Sequence, residues 1–156
     1  MNNIHVAMLR LRDDISFYVA GHVSEGKIIE VSVGHTYVKC LTSLETPDSY
    51  DEVELVLFED LWGKISEKDD IIMEGTDFQK KVWNFLMNTT SGDIFTYSEI
   101  ARRIGHPGAQ RAVANACASN RHAIVIPCHR VVRKDGKPSG YRWGEEVRVK
   151  ILAAGL

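Results

Sequence analysis

Three consecutive residues, Cys128, His129 and Arg130, carry side chains that could do chemistry together. A thiol beside a proton acceptor and a positive charge is the combination that lowers a cysteine pKa and makes the sulfur nucleophilic. Pro127 precedes them and ends an apolar run at 124–126, which we predict to be a short buried strand. Because neighbouring strand residues point to opposite faces, Cys128 and His129 can cooperate only if the chain turns at that point.

The other two cysteines, Cys40 and Cys117, are interpreted as small buried apolar residues. Three cysteines are too few for a disulfide framework, so we expect reduced thiols. A zinc site of Cys40 with His22 and His35 is the alternative, but the intervals of 12 and 4 residues that separate these side chains match no compact ligand pattern. We therefore expect no metal, and without a Walker A, GxGxxG or CxxC motif we expect no cofactor.

The elements that must position this cysteine begin with two predicted helices. Thr96 and Glu99 form a capping box that opens the first, and Gly105 with Pro107 ends it. The second covers 109–118. Two short helices joined by a glycine-containing turn are typical of a helix-turn-helix.

The second of these helices is rich in alanine, and Arg111 is its one charged residue. Such a slim helix can approach the floor of a nucleic-acid groove closely. An ordinary packed pair of helices is the alternative, because alanine is also the best helix former and permits close packing.

A change in composition near residue 75 predicts two domains, 1–75 and 76–156. In the first, an α/β domain, we predict strands at 6–12, 16–20 and 27–33 as an antiparallel meander, and helices at 36–44 and 52–62. The second domain opens with a capping box of Thr76 and Gln79. Its first helix carries one apolar face, formed by Phe78, Val82, Trp83 and Leu86.

Charge divides along the same line. Residues 1–75 carry 6 basic and 15 acidic side chains, a balance of −9, whereas residues 76–156 carry 13 basic and 6 acidic, a balance of +7. A basic half favours contact with a polyanion such as nucleic acid. The alternative is that two surfaces of opposite charge face each other.

The 156 residues and the 44% hydrophobic composition fit a globular protein of one or two domains. We find no run of 18 apolar residues, and residues 1–10 lack the regions of a signal peptide. An intracellular, cytoplasmic protein with no membrane partner is the expectation.

The sequence Ile-Pro-Cys-His-Arg-Val at 126–131 resembles the active-site signature of the O6-alkylguanine-DNA alkyltransferases, also called methylated-DNA protein-cysteine methyltransferases. The resemblance covers about half the chain, from Phe78 to Leu152. Its flanking motifs are Phe95-Thr96-Tyr97, Arg111-Ala112-Val113, Ser119-Asn120 and Gly140-Tyr141-Arg142-Trp143-Gly144.

The resemblance implies a mechanism. The family turns a damaged nucleotide out of the duplex and transfers the alkyl group from guanine O6 to its own cysteine, here Cys128, with His129 as base through a bound water. O4-alkylthymine is a second substrate that the resemblance allows. The product is a thioether that hydrolysis does not reverse, so each chain would act once, without a cofactor. The O6 substituent lies in the base stack, so the base must be extruded.

The resemblance also implies roles for individual residues. Tyr97 helps to rotate the 3′ phosphate, Arg111 fills the gap left by the extruded base, and Asn120 is a hinge beside the active site. Expected catalytic residues are Cys128, His129, Asn120 and Tyr97. Expected DNA contacts are Arg111, Tyr97, Ala112, Arg130 and Ser119, and the expected substrate pocket is Tyr141, Arg142, Val125 and Cys117.

The implied fold is a ribonuclease H-like N-terminal α/β domain followed by a mainly helical, winged helix-turn-helix-like domain. The implied partner is double-stranded DNA containing O6-alkylguanine, bound through the minor groove by a monomer, in the nucleoid or in a nucleus. One departure is that the family glutamate at the end of the last helix falls near Gly155, whereas Glu145 and Glu146 open that helix. The competing hypothesis is a non-enzymatic binder of alkylated DNA.

Overall fold

A computed structural model of the protein describes residues 2–10, 16–45 and 52–156. It divides into two compact units, one made of Met1–Met73 with Arg121–Val125 and the other of Glu74–Asn120 with Ile126–Leu156. The short segment Arg121–Val125 therefore belongs to the first unit although it lies far along the chain. No helix among the described residues has both the length and the apolar character that crossing a membrane requires.

The first unit is built on a four-stranded sheet in the order β3-β2-β1-β4. Its strands are β1 (Asn2–Arg10), β2 (Ser16–Ser24), β3 (Lys27–Gly34) and β4 (Glu52–Leu55). The first three pair antiparallel, which confirms the predicted meander. Glu25 and Gly26 join β2 to β3 with φ of 50° and 78°, the positive angles that a two-residue hairpin of matching twist needs. The end of the first predicted strand, residues 11 and 12, and the connection to the second lie outside the described residues.

Of the two helices predicted in this unit, the first is confirmed as α1 (Tyr37–Thr42), where the Thr36 hydroxyl caps the Lys39 amide. The second prediction is wrong at its start, since residues from Glu52 form β4 and the helix α2 runs Phe58–Ile65. The physical reason is pairing with residues far away in the sequence. β4 lies parallel to β1 and bonds to the backbone groups at that edge of the sheet.

The second unit holds four helices among its described residues, α3 (Asp77–Met87), α4 (Tyr97–Arg103), α5 (Gln110–Ala118) and α6 (Glu145–Ala153). A two-stranded parallel ladder joins β5 (Phe95–Thr96) to β6 (Val131–Val132). The capping boxes predicted for α3 and α4 are both present, each with its hydroxyl and its carboxylate or amide bond in place. Gly105 ends α4 at φ 84°, as predicted.

The predicted strand at 124–126 is wrong. Arg121 and Ala123 instead bond to both sides of the Val31 backbone at 2.8 and 2.9 Å, which leaves only an isolated bridge. Ile124 then adopts φ 70°, an angle that a β-branched residue rarely takes and that costs about 1–3 kcal/mol. The apolar run is buried without pairing, so its hydrophobic character was a sign of burial and not of a strand.

Candidate active site

Cys128 lies where the chain turns. Cys128–Arg130 form a single 3-10 turn after Pro127, and the Cys128 amide donates to the Ile126 carbonyl at 2.7 Å. This is the turn that the sequence required if neighbouring side chains were to cooperate. Cys128 is buried, with 4% of the residue exposed.

The Cys128 side chain lines a small cavity of about 60 Å³. Its other lining residues are Tyr97, Ala114, Cys117, Ala118, Ser139, Gly140, Tyr141 and Arg142. Four of these were predicted site residues, and they come from α4, α5 and the segment before α6. The volume equals that of about two water molecules. The thiol therefore has space beside it, but less than a purine ring needs.

The buried Asn120 side chain is the hydrogen-bond donor at the sulfur. Its Nδ2 lies 3.3 Å from Cys128 Sγ and 2.9 Å from the Ile126 carbonyl oxygen. Asn120 follows the C-cap of α5, and thus ties the end of that helix to the cysteine turn. This geometry is compatible with the expected hinge role, which stays a prediction.

The pKa of Cys128 is raised well above its usual value, opposite to the direction that its sequence neighbours indicated. Burial is the main cause, and the adjacent Cys117 thiol adds to it. The Asn120 amide and the charge of Arg142 act against this rise. Cys128 is therefore a protonated thiol at neutral pH.

The ring of His129 is fully buried, and burial lowers its pKa to about 4, helped by the charges of Arg130 and Arg148. The Leu156 backbone opposes this shift without reaching ordinary hydrogen-bond geometry. Among the described residues neither ring nitrogen of His129 has a hydrogen-bond partner, so neither is bonded to the Cys128 sulfur. The imidazole is thus neutral at pH 7 and can accept a proton, but it does not touch the thiol directly.

Arg130 points into its own unit. Its two terminal nitrogens donate to Thr89 Oγ1 at 2.8 Å and to the Leu156 carbonyl at 2.5 Å, and the residue is 9% exposed. These bonds tie the cysteine turn to the segment after α3. Each terminal nitrogen thus has a partner within the protein while the buried Nε has none among the described residues, and the DNA contact of Arg130 stays a prediction.

Tyr97 and Tyr141 stand on the cavity wall. The Tyr97 hydroxyl donates to the Ser139 carbonyl at 2.8 Å, and burial raises the pKa of both phenols, so that each remains protonated. Val125, the remaining predicted pocket residue, lies in Arg121–Val125 of the first unit.

A larger open groove of about 600 Å³ shares part of its wall with the cavity. Tyr97, Ala114 and Ser139 line both spaces. The other groove residues are Thr96, Ser98, Gln110, Arg111, Arg133, Lys134 and Asp135. The sequence predicted Arg111 here but gave no signal for Ala114 or Ser139. Ala112 and Ser119, also predicted to contact DNA, are exposed on α5.

The alternative zinc site finds no support in its cysteine. Cys40 is fully buried against Ser32, and burial raises the pKa of its thiol to about 12. In the described ranges no three His, Cys, Asp or Glu side chains come together to hold a metal ion.

Together the fold and the site define an α/β protein with a buried thiol next to a groove that runs along a pair of helices. Residues 77–155 match the family model described as 6-O-methylguanine DNA methyltransferase, DNA binding domain. The chain belongs to this family.

A curated relative carries the name of the same activity as the family model. The chain is 49% identical over 78 residues to a methylated-DNA--protein-cysteine methyltransferase of Saccharomyces cerevisiae, a match that covers 50% of this chain and 42% of that protein. The chain therefore spans less than half the length of this curated relative.

Two crystal structures resemble nearly the whole chain. The O6-methylguanine-DNA methyltransferase of Pyrococcus kodakaraensis matches with a TM-score of 0.76 over 97% of this chain and 98% of that one, at 22% identity, and so shares the fold. The Mycobacterium tuberculosis OGT in complex with DNA matches with a TM-score of 0.62 at 25% identity, over 97% and 92% of the two chains.

Proposed function

We propose that this protein repairs DNA by direct reversal, with Cys128 as the acceptor of an alkyl group from O6 of guanine. The observation that carries the proposal is the shared wall of Tyr97, Ala114 and Ser139, which places the Cys128 cavity beside a groove that holds Arg111. A DNA strand in the groove would have its extruded base next to the sulfur. The names of the family model and of the yeast relative support the same activity.

In the proposed step the Cys128 thiolate attacks the alkyl carbon, the carbon–O6 bond breaks, and the guanine takes up one proton. The thiol proton must leave first, and His129, which is neutral at pH 7, would receive it through a bound water. The thioether that forms is stable, so the reaction ends after one transfer per chain.

The base must leave the stack to reach a buried sulfur. A cavity of about 60 Å³ has to widen for it, and the segment Ser139–Arg142 is the part of the wall without regular structure. Gly140 in this segment has φ 70°, a conformation open to glycine at low cost. We propose that this segment moves when the base enters.

We propose minor-groove binding of double-stranded DNA through α5, because the exposed Arg111, Ala112 and Ser119 give this helix a slim outer face with one cation. Arg111 would enter the stack, where a planar guanidinium can replace a base. Basic side chains at Arg133 and Lys134 border the same groove and would meet phosphates.

Further proposals follow from membership of the family. We propose that the first unit is ribonuclease H-like, that the second is a winged helix-turn-helix, and that the protein acts as a monomer without a cofactor. O4-alkylthymine as a second substrate and a cytoplasmic location at the nucleoid, or a nuclear one in a eukaryote, are also proposed.

The direct test is to incubate the protein with a duplex that holds one O6-methylguanine and to measure intact and peptide masses. We expect at most one methyl group per chain, on the tryptic peptide 122–130 that carries Cys128. Cys128→Ser should remain unmodified, whereas Cys40→Ser, the control at a buried thiol of the first unit, should be methylated like the wild type. Tight binding of the lesion without any mass change would favour a non-enzymatic lesion binder instead.

A second measurement separates DNA engagement from chemistry. Arg111→Ala should slow the reaction with the duplex much more than the reaction with free O6-benzylguanine, because only the duplex needs a side chain to fill its stack. Equal losses with both substrates would contradict the role of Arg111. The matched control is Arg102→Ala, an exposed arginine of α4 outside the groove lining.

A further inference from the structure

Arg142 makes contacts that bring its charge to the active site. Its Nη1 donates a short hydrogen bond to the Asn120 backbone carbonyl, and its guanidinium lies 5.3 Å from the centre of the Trp143 ring. Arg142 also lines the cavity that contains Cys128. The side chain is thus held from two sides, by a carbonyl and by an aromatic face.

The residue that Arg142 contacts is the same one that bonds to the sulfur. The Asn120 side chain donates from Nδ2 to Cys128 Sγ at 3.3 Å, while its backbone carbonyl receives the Arg142 guanidinium. A hydrogen bond donated to a thiolate stabilises the charged form. A loss of the Arg142 bond would remove one of the contacts that hold Asn120 in place for this donation.

The electrostatic surroundings of Cys128 contain little else that favours ionisation. From α5 the Cys117 thiol opposes it, and the Tyr97 and Tyr141 phenols on the other walls are protonated. His129 follows in the same turn and is neutral at pH 7. The charge of Arg142 lowers the pKa of Cys128, against the rise that burial causes.

We propose that Arg142 is a positioning residue for alkyl transfer, which clamps Asn120 against the Cys128 sulfur and supplies the positive charge that faces the thiolate. This inference rests on the proposed function, because only a protein that uses the thiolate needs such a charge. It assigns to Arg142 the charge that the sequence pattern suggested for Arg130, whose terminal nitrogens bond to Thr89 and Leu156 instead.

The test uses iodoacetamide, which alkylates thiolates without DNA, and follows the rate at Cys128 against pH. Trypsin separates the two cysteines of the site, because Cys117 falls in peptide 112–121 and Cys128 in peptide 122–130. In Arg142→Met we expect the profile to move to higher pH and the rate at pH 7 to fall roughly tenfold, the effect of one nearby opposite charge. Arg142→Lys keeps the charge without the planar fork and should lie between the two.

Arg102→Met is the matched control, since it removes an exposed arginine of α4 that does not line the cavity, and its profile should coincide with that of the wild type. Coincident profiles for wild type, Arg142→Met and Arg142→Lys would overturn the proposal. If Arg142→Met fails to fold, as judged by circular dichroism, the proposal is tested by Arg142→Lys. A shift of the Cys128 pH profile in this variant would support the proposal, and an unchanged profile would show a merely structural role.

The two proposals fail separately. If the Arg142 variants give the predicted iodoacetamide profiles but the wild type takes no alkyl group from DNA, the proposed function is refuted and the role of Arg142 at the thiolate stands. Transfer from DNA with no response of the pH profile to Arg142 would do the opposite.

Discussion

Lowering the pH from 7 to 5 should destabilise the fold through His129. The imidazole is fully buried, and its pKa is lowered to about 4 by burial and by the charges of Arg130 and Arg148. In the unfolded chain the same ring has its ordinary pKa of about 6.5. Between pH 6.5 and about 4 the ring is protonated in the unfolded state but not in the folded state, so acid favours unfolding.

The sign and size follow from proton linkage. Because the folded pKa is the lower one, the contribution of His129 is fully present above pH 6.5 and is lost as the pH falls towards 4. Each full unit of difference corresponds to about 1.4 kcal/mol of folding free energy. Between pH 7 and pH 5 the loss from this one residue amounts to about 2 kcal/mol.

The assay is urea unfolding at both pH values, for the wild type and for His129→Leu, which fills the site without a titratable group. Burial also lowers the pKa of His5, His22 and His122, so both proteins will lose stability in acid. The difference between the two losses isolates His129. We expect the wild type to lose about 2 kcal/mol more. Equal losses would show that the ring takes up its proton in the folded state without penalty, and would refute the reasoning.

Three further outcomes are expected. In Cys117→Ala the iodoacetamide profile of Cys128 should move to lower pH, because a neighbour that raises its pKa is removed; a profile unchanged or moved upward would contradict this. Trp83→Phe should cost about 1–3 kcal/mol in chemical denaturation, since the 2.9 Å bond from its Nε1 to the Ala116 carbonyl is lost; no cost would mean that the carbonyl finds another donor. Gly75→Ala should cost about 1–3 kcal/mol, because a Cβ there would lie 2.5 Å from the Trp83 ring, and the cost should shrink in a Trp83→Phe background.

Local signals in the sequence predicted local structure well. The capping boxes at Thr76 and Thr96 involve side chains three residues apart, so their geometry depends on the helix start alone. Gly105 likewise ends α4 through its own backbone conformation, with a positive φ. These elements could be predicted because every partner lies within a few residues along the chain.

Pairing over a distance could not be predicted in the same way. Glu52–Leu55 forms a strand because a free sheet edge lies beside it, and that edge belongs to β1, about fifty residues earlier in the sequence. Residues 124–126 fail to form a strand because Ala123 already bonds to Val31 and Ile124 turns at a positive φ. Hydrophobicity predicted the burial of residues 124–126 but not their geometry, and for the largely exposed strand β4 it predicted neither.

The candidate site shows the same division. The sequence predicted part of the cavity lining, since Tyr97, Cys117, Cys128 and Tyr141 line it, but it gave no signal for Ala114 or Ser139. It did not predict their electrostatics. Sequence adjacency suggested that His129 and Arg130 activate the thiol. In the structure the hydrogen-bond donor to the Cys128 sulfur is Asn120. The Asn120 carbonyl in turn binds Arg142, which lies 22 residues further along the chain.

The raised pKa of Cys128 fits a reagent that is consumed by its own reaction. If each chain accepts one alkyl group, as proposed, any stray electrophile that reaches the sulfur wastes a molecule of protein. A protonated thiol in a cavity of about 60 Å³ is slow to react with solutes, because the thiolate is the nucleophile and access is narrow. Entry of a base would have to widen the cavity, where the Asn120 donor and the Arg142 charge that favour the thiolate already lie.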